Sequence, residues 1–165
     1  MKIYIIGPSG SGKTTLSNAL SKKYNVATYE LDCIVYDDLH DHVKRSPEEI
    51  QKMFHDILKK DDWIIEDVGR DKFSLGLEKC DNIYYLKISK YRVYGRVIKR
   101  WIKQRLGLEK WNYPPTFYQF YDMLRVAKEY FKKENDKLEI LSKYPDKIIY
   151  LSSKDLNKMI KDCKV

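Results

Sequence analysis

An α/β fold, with a parallel sheet covered by helices on both faces, is predicted by three features of the chain. Five short apolar runs alternate with stretches whose apolar residues recur at helical spacing, the pattern of strands joined by crossover helices. A glycine-rich stretch links the first run to the first helical stretch. The 165 residues, 43% hydrophobic and 34% charged, suit one domain with a sizeable core.

The elements follow in order. Lys2–Ile6 reads as a buried strand, and after the glycines Leu16, Ala19, Leu20 and Tyr24 fall on one helical face. Val26–Leu31 reads as a second strand ending at Asp32, with an irregular polar stretch from there to Arg45. Ser46-Pro47-Glu48-Glu49 starts a helix, with Ser46 as N-cap and Glu49 closing a capping box. Its buried face is Ile50, Met53, Phe54, Ile57 and Leu58. Trp63-Ile64-Ile65 is a third strand running into Glu66-Asp67, and Asp71–Cys80 is compatible with a short helix. Ile83–Ile88 is a fourth strand, and Ser89 can cap the basic helix after it. Gly107–Pro115 interrupts that helix, and another begins near Thr116 and breaks near Asn135-Asp136. Lys147–Leu151 is a fifth strand, and Ser152 or Ser153 caps a last helix carrying Leu156, Met159 and Ile160.

Chemistry enters at Gly7-Pro8-Ser9-Gly10-Ser11-Gly12-Lys13-Thr14, an unbroken match to G-x-x-x-x-G-K-[ST], the Walker A phosphate loop. The glycines let the backbone curl so that its amides point at phosphate oxygens. Lys13 brings a cation to the β- and γ-phosphates, and the Thr14 hydroxyl is placed to ligate Mg²⁺. With Thr15, these residues form the expected nucleotide-binding set for ATP. The setting of strand, loop and helix is the one the motif requires. The fold class sharpens to a three-layer P-loop NTPase fold, with five parallel strands and a small helical lid around residues 105–116.

The net charge of +8 resides in one window: Lys87–Lys110 holds nine bases and one acid, Glu109. Such a field points to a polyanionic partner. Arg92, Arg96 and Arg100 share a helix face at i, i+4, i+8, with Arg105 nearer the lid. Arginines so placed suit the charge that builds on a transferring phosphoryl group. Asp32 is expected at a strand's carboxyl end, where ligands of open α/β sheets collect. It could accept the proton of an attacking hydroxyl, bind a magnesium-ligated water, or hold the acceptor. The acids and histidines of residues 37–42 lack the spacing of a recognised metal site. No N-K-x-D tetrapeptide of the GTPase kind occurs.

The whole chain resembles the adenylate-kinase-like P-loop kinases, and within them the group labelled DNA topology modulation protein (FlaR-like). Adenylate kinases carry a strand-end D-G-F-P-R, and Glu66-Asp67-Val68-Gly69-Arg70 occupies that place, with Arg70 matching. The FlaR-like W-I-I-D-G-N stands against Trp63–Val68, its L-D against Leu31-Asp32, and its R-V-x-K-R against Arg96–Arg100. The resemblance implies a phosphotransferase with Arg70 and Asp32 on the acceptor. Lys13, Asp32, Arg96 and Arg100 would be catalytic. Thr14 would hold Mg²⁺ with either Glu66 or Asp67. The acceptor, a nucleotide or a small hydroxyl metabolite, stays open.

Two function classes remain. The favoured one is a kinase moving the γ-phosphoryl of Mg-ATP to a small acceptor. The alternative is a nucleic-acid-associated ATP-binding protein that uses the basic 87–110 helix. The three isolated cysteines and a start without a signal-peptide pattern lead us to expect a cytoplasmic protein, monomer or dimer, with no membrane partner.

Overall fold

The computed structural model describes residues 1–37, 43–109 and 115–163. Its centre is a five-stranded sheet, all pairs parallel. The strands are β1 (Lys2–Ile6), β2 (Thr28–Glu30), β5 (Trp63–Asp67), β6 (Asn82–Leu86) and β7 (Ile148–Leu151), in spatial order β2-β5-β1-β6-β7. A separate antiparallel pair, β3 (Tyr36–Asp37) with β4 (Val43–Lys44), follows the short helix after β2 and precedes the helix that starts at Pro47.

Strand alternation divides the core into two layers. Tyr4, Ile6, Trp63, Ile65, Ile83 and Tyr85 face one side. There they meet α2 (Leu31–Val35), α3 (Pro47–Leu58), α4 (Ser74–Lys79) and α7 (Glu134–Leu141). Ile3, Ile5 and Ile64 face the other side. That layer holds α1 (Lys13–Tyr24), α5 (Lys90–Arg105), α6 (Phe117–Lys132) and α8 (Ser153–Asp162). Helices thus cover both faces, as the element order predicts.

Several boundaries differ from expectation for physical reasons. β2 stops at Glu30, because Leu31, Ile34 and Val35 bury themselves at helical spacing and turn the chain into α2. Asp32 therefore sits in a helical turn beyond the strand, not at its end. Part of the polar stretch to Arg45 is the β3–β4 pair, which Arg45 secures by donating to the carbonyls of Cys33 and Tyr36. Asp71–Phe73 is a 3-10 turn leading into α4. Ser89 takes the N-cap position of α5 without a side-chain cap bond. The break between α6 and α7 falls at Lys133, two residues before Asn135. The capping boxes at Ser46–Glu49 and Ser152–Asp155 both form.

Residues 110–114, within the expected lid, and 38–42, within the acid and histidine cluster, lie outside the described residues. No helix among the described residues is long and apolar enough to cross a membrane.

Gly76 sets how closely α4 approaches the sheet. A Cβ there would stand 2.5 Å from Tyr4 Cε2, and Tyr4 is fully buried. Gly76→Ala should therefore lose about 1–3 kcal/mol of stability through overpacking, against the gain expected in an open helix. A lowered urea midpoint at unchanged slope would register it; an unchanged or raised midpoint would contradict the close packing.

Candidate active site

The glycine loop runs from the end of β1 into α1 at the carboxyl end of the sheet. Gly10 and Gly12 have φ of 77° and 105°, left-handed values that strain other residues. The Ser11 amide closes the curl onto the Pro8 carbonyl at 3.1 Å. Gly12 is the N-cap of α1 and offers no side chain, so the first amides of the helix are left for a ligand. Lys13 Nζ lies back across the loop, donating to the carbonyls of Gly7 (3.0 Å) and Pro8 (3.1 Å). Burial lowers its pKa, with Glu66, Asp32, Asp67 and Glu30 opposing. An anion beside it favours the charged form further.

β5 ends in two buried carboxylates that alternation sends to opposite faces of the sheet. Glu66 shares a side with Ile64 and α1. Its Oε2 accepts from Thr14 Oγ1 at 2.8 Å and its Oε1 from Ser17 Oγ at 3.0 Å. Asp67 turns the other way. Its carboxylate accepts from the amides of Gly69 (2.8 Å) and Arg70 (2.6 Å), and from Arg70 Nη1 at 2.7 Å. Arg70 Nη2 pairs with Asp32. Burial opposes the Arg70 cation, but Asp67 and Asp32 outweigh it and raise its pKa.

α5 supplies the opposite wall. Arg96 Nη1 donates to the Ser11 carbonyl at 2.5 Å, which seats the guanidinium on the glycine loop. Arg100 stands one turn on, 3.6 Å from Glu109. Both arginines line a cleft of about 570 Å³ with Lys13, Thr14, Asp32, Gly10 and Gly12. The other two arginines are placed differently. Arg92 is exposed and is not part of the cleft lining. Arg105 lies over the rings of Trp101 and Phe117, 5.6 and 5.4 Å from their centroids.

Sequence reasoning passed over several residues of the cleft. Glu30, the last residue of β2, lines it; burial raises its pKa, and the nearby Glu66 and Asp32 raise it further. Its signal was Glu30-Leu31-Asp32, two acids flanking a fully buried leucine. Ser17, hidden as an apparent helix polar residue, completes the clasp on Glu66. Leu156, Asn157 and Ile160 of α8 form the remaining wall.

The residues present fit a magnesium nucleotide. Loop amides, Lys13, Arg96 and Arg100 suit a chain of phosphates. The Thr14 hydroxyl and the Glu66 carboxylate are hard oxygen donors. No cluster of three acidic, histidine or cysteine ligands exists among the described residues. Mg²⁺ does not need one, because it takes one or two protein oxygens and fills its shell with water and phosphate.

Comparison with known proteins agrees with the fold. The family described as ATPase family associated with various cellular activities (AAA) matches residues 3–66, from β1 to Glu66. No curated protein sequence matches the chain. Among solved structures, a shikimate kinase from Bacteroides thetaiotaomicron superposes with a TM-score of 0.56 at 15% identity, over 99% of this chain and 96% of that one. A sugar kinase from Janibacter sp. HTCC2649 gives 0.58 at 17%, over 98% and 90%. A gluconokinase from Sinorhizobium meliloti 1021 gives 0.53 at 12%, over 98% and 88%.

The clasp on Glu66 makes a direct prediction about magnesium. A non-hydrolysable ATP analogue with Mg²⁺ should raise the melting temperature more than the analogue alone. A ligand at a hundredfold excess over its Kd contributes about 2.7 kcal/mol. In Glu66→Gln, which keeps the shape and loses the charge, the two shifts should coincide. A full magnesium increment in that variant would remove Glu66 from the site. These likenesses and the observed topology establish the three-layer α/β fold of the P-loop NTPases.

Proposed function

We propose that the protein is a P-loop phosphotransferase that moves the γ-phosphoryl group of Mg-ATP to a small acceptor, an adenylate-kinase-like enzyme of the FlaR-like kind acting in the cytoplasm. One observation carries the reading: Lys13 on the loop and Arg96 and Arg100 on α5 converge on one cleft, with Asp32 in its lining. Passive nucleotide binders need the loop; a second wall of arginines suits charge that develops during transfer.

Each residue then has a role. Loop residues 7–15 and Lys13 would hold the phosphates, and Thr14, backed by Glu66, would hold Mg²⁺. When bound, the ion neutralises charge on the β- and γ-phosphate oxygens. Lys13 gives up its two carbonyl partners for phosphate oxygens, whose negative charge offsets the burial that lowers its pKa. Arg96 is already oriented by the Ser11 carbonyl, so little reorganisation accompanies transfer. Arg100 must leave Glu109 to reach the transferring group. Asp32 and Arg70 would hold the acceptor, with Asp32 also within reach of a hydroxyl proton if the acceptor is an alcohol. Asp67, engaged by the amides of Gly69 and Arg70, shapes the acceptor side and leaves the magnesium role to Glu66. The names of the structural neighbours favour a hydroxyl metabolite over a nucleotide.

A second reading rests on the bases outside the cleft. Arg92, Lys99 and Lys103 are exposed on α5, so much of the basic window is not consumed by the cleft and suits a nucleic-acid phosphate backbone.

A coupled assay for ADP release across AMP, CMP, shikimate, gluconate and other sugar acids tests the main reading. At least one acceptor should stimulate release well above the background. Arg100→Ala should lower kcat and kcat/KM together, roughly 10³-fold or more, with ATP affinity changed far less. If no acceptor stimulates release while Lys99→Glu/Lys103→Glu abolishes binding to single-stranded DNA, the second reading replaces the first.

A further inference from the structure

The acceptor-side turn is held from behind by a residue 68 positions further along the chain. Gly69 has φ of 81°, so the turn after β5 depends on a left-handed backbone. Its carbonyl and the Arg70 amide belong to one peptide plane. Asp67 Oδ2 takes the amide end at 2.6 Å, and Lys137 Nζ donates to the carbonyl end at 2.8 Å. With both ends bonded, that plane is held, and the Arg70 carbonyl accepts from the Phe73 amide at 3.0 Å, so the planes on both sides of Arg70 are tied and its Cα–Cβ bond is directed by them. The Lys137 stem adds steric support, since a Cβ on Gly69 would meet its Cδ at 3.4 Å.

Lys137 is itself rigidly based. It stands on α7, whose first residue, Glu134, accepts a hydrogen bond from the buried Tyr85 hydroxyl of β6 at 2.9 Å. Leu141 of the same helix is fully buried in the core, and Leu138 packs against it. The Lys137 ammonium lies 5.2 Å from the centroid of the Tyr130 ring on α6. The donor therefore comes from an element locked to the sheet and touching the end of α6.

We propose that Lys137 is a positioning residue of the acceptor site: by fixing the Gly69–Arg70 peptide plane it holds the Arg70 guanidinium between Asp32 and Asp67, ready for an anionic group on the acceptor. The inference rests on the reading of Arg70 as acceptor-binding. Its test does not depend on turnover, so the two can fail separately.

The probe is phenylglyoxal at limiting dose, with modification of each arginine measured by peptide mass spectrometry. Arg45, also held by several hydrogen bonds, serves as the internal reference. In Lys137→Met, modification of Arg70 should rise about tenfold, the change that loss of one charge-assisted hydrogen bond supports. Arg45 should stay at its wild-type rate. Lys137→Arg, which keeps a cationic donor, should restore Arg70 to near the wild-type rate. If Lys137→Met fails to fold, Lys137→Gln replaces it, with the same expected direction. An unchanged Arg70 rate overturns the proposal. So does a parallel rise at Arg70 and Arg45, which would mean general loosening. With an acceptor that supports ADP release, the same variant should raise the acceptor KM and leave the ATP KM unchanged. Absence of any acceptor would defeat the kinase reading and leave the modification result standing.

Discussion

Charge is crowded at the carboxyl end of the sheet, and the pairing of that charge organises the region. Lys13, Arg70, Arg96 and Arg100 stand among Glu30, Asp32, Glu66, Asp67 and Glu109. Arg70 is committed to two carboxylates, Asp32 and Asp67. Lys13 and Arg96 instead hold backbone carbonyls of the loop, which are weaker partners than a phosphate oxygen. Arg100 meets the half-exposed Glu109 among the described residues, and such a pair contributes little to stability. The cations facing the loop are thus held in place without being neutralised, while the one on the acceptor side is tied down. A triphosphate meets prepared but uncommitted charge, and an acceptor must compete with a carboxylate.

The parallel sheet makes this arrangement affordable. All five strands point their carboxyl ends the same way, so β1 delivers the loop and β5 delivers Glu66 and Asp67 at adjacent positions. Strand alternation then separates two neighbouring acids into different duties. Glu66 goes to the α1 side with Thr14 and Ser17, and Asp67 to the side of Tyr4 and Arg70. α5 packs Val93 and Val97 into the same layer as α1, which brings Arg96 onto the loop. Lys137 fastens the far side of the turn. Fold and site share one frame, in which Arg96 stands beside the buried Val97 and Glu66 beside the buried Ile65.

Much of this was legible in the residue order. The loop was readable because its spacing is dictated by backbone geometry, which is local. The helix from Ser46 was readable because a capping box is local too, whereas the last helix left Ser152 and Ser153 both open as caps until Asp155 was seen to close the box on Ser152. Choosing between Glu66 and Asp67 needed only parity: Ile64 and Glu66 lie two apart on a strand and share a face. Asp32 was misplaced because Val26–Leu31 looks like one apolar run, while burial of Leu31, Ile34 and Val35 bends it into a helical turn. The part played by Lys137 was not readable. Its helix has a weakly amphipathic sequence, and its partner lies across the fold on a carbonyl, which carries no sequence signal. The separation of Arg105 from Arg96 and Arg100 likewise depended on where Phe117 of α6 packs beside Trp101.

The central claim is that the loop and its facing arginines form one site for Mg-ATP. The most direct measurement is a calorimetric titration of wild type and Lys13→Ala with a non-hydrolysable ATP analogue in the presence and absence of Mg²⁺. Wild type should bind with one site per chain and more tightly with Mg²⁺, and Lys13→Ala should lose at least about tenfold in affinity while unfolding at a similar temperature, since Lys13 faces the cleft. Equal affinity in the two proteins, or binding indifferent to Mg²⁺, would contradict the account.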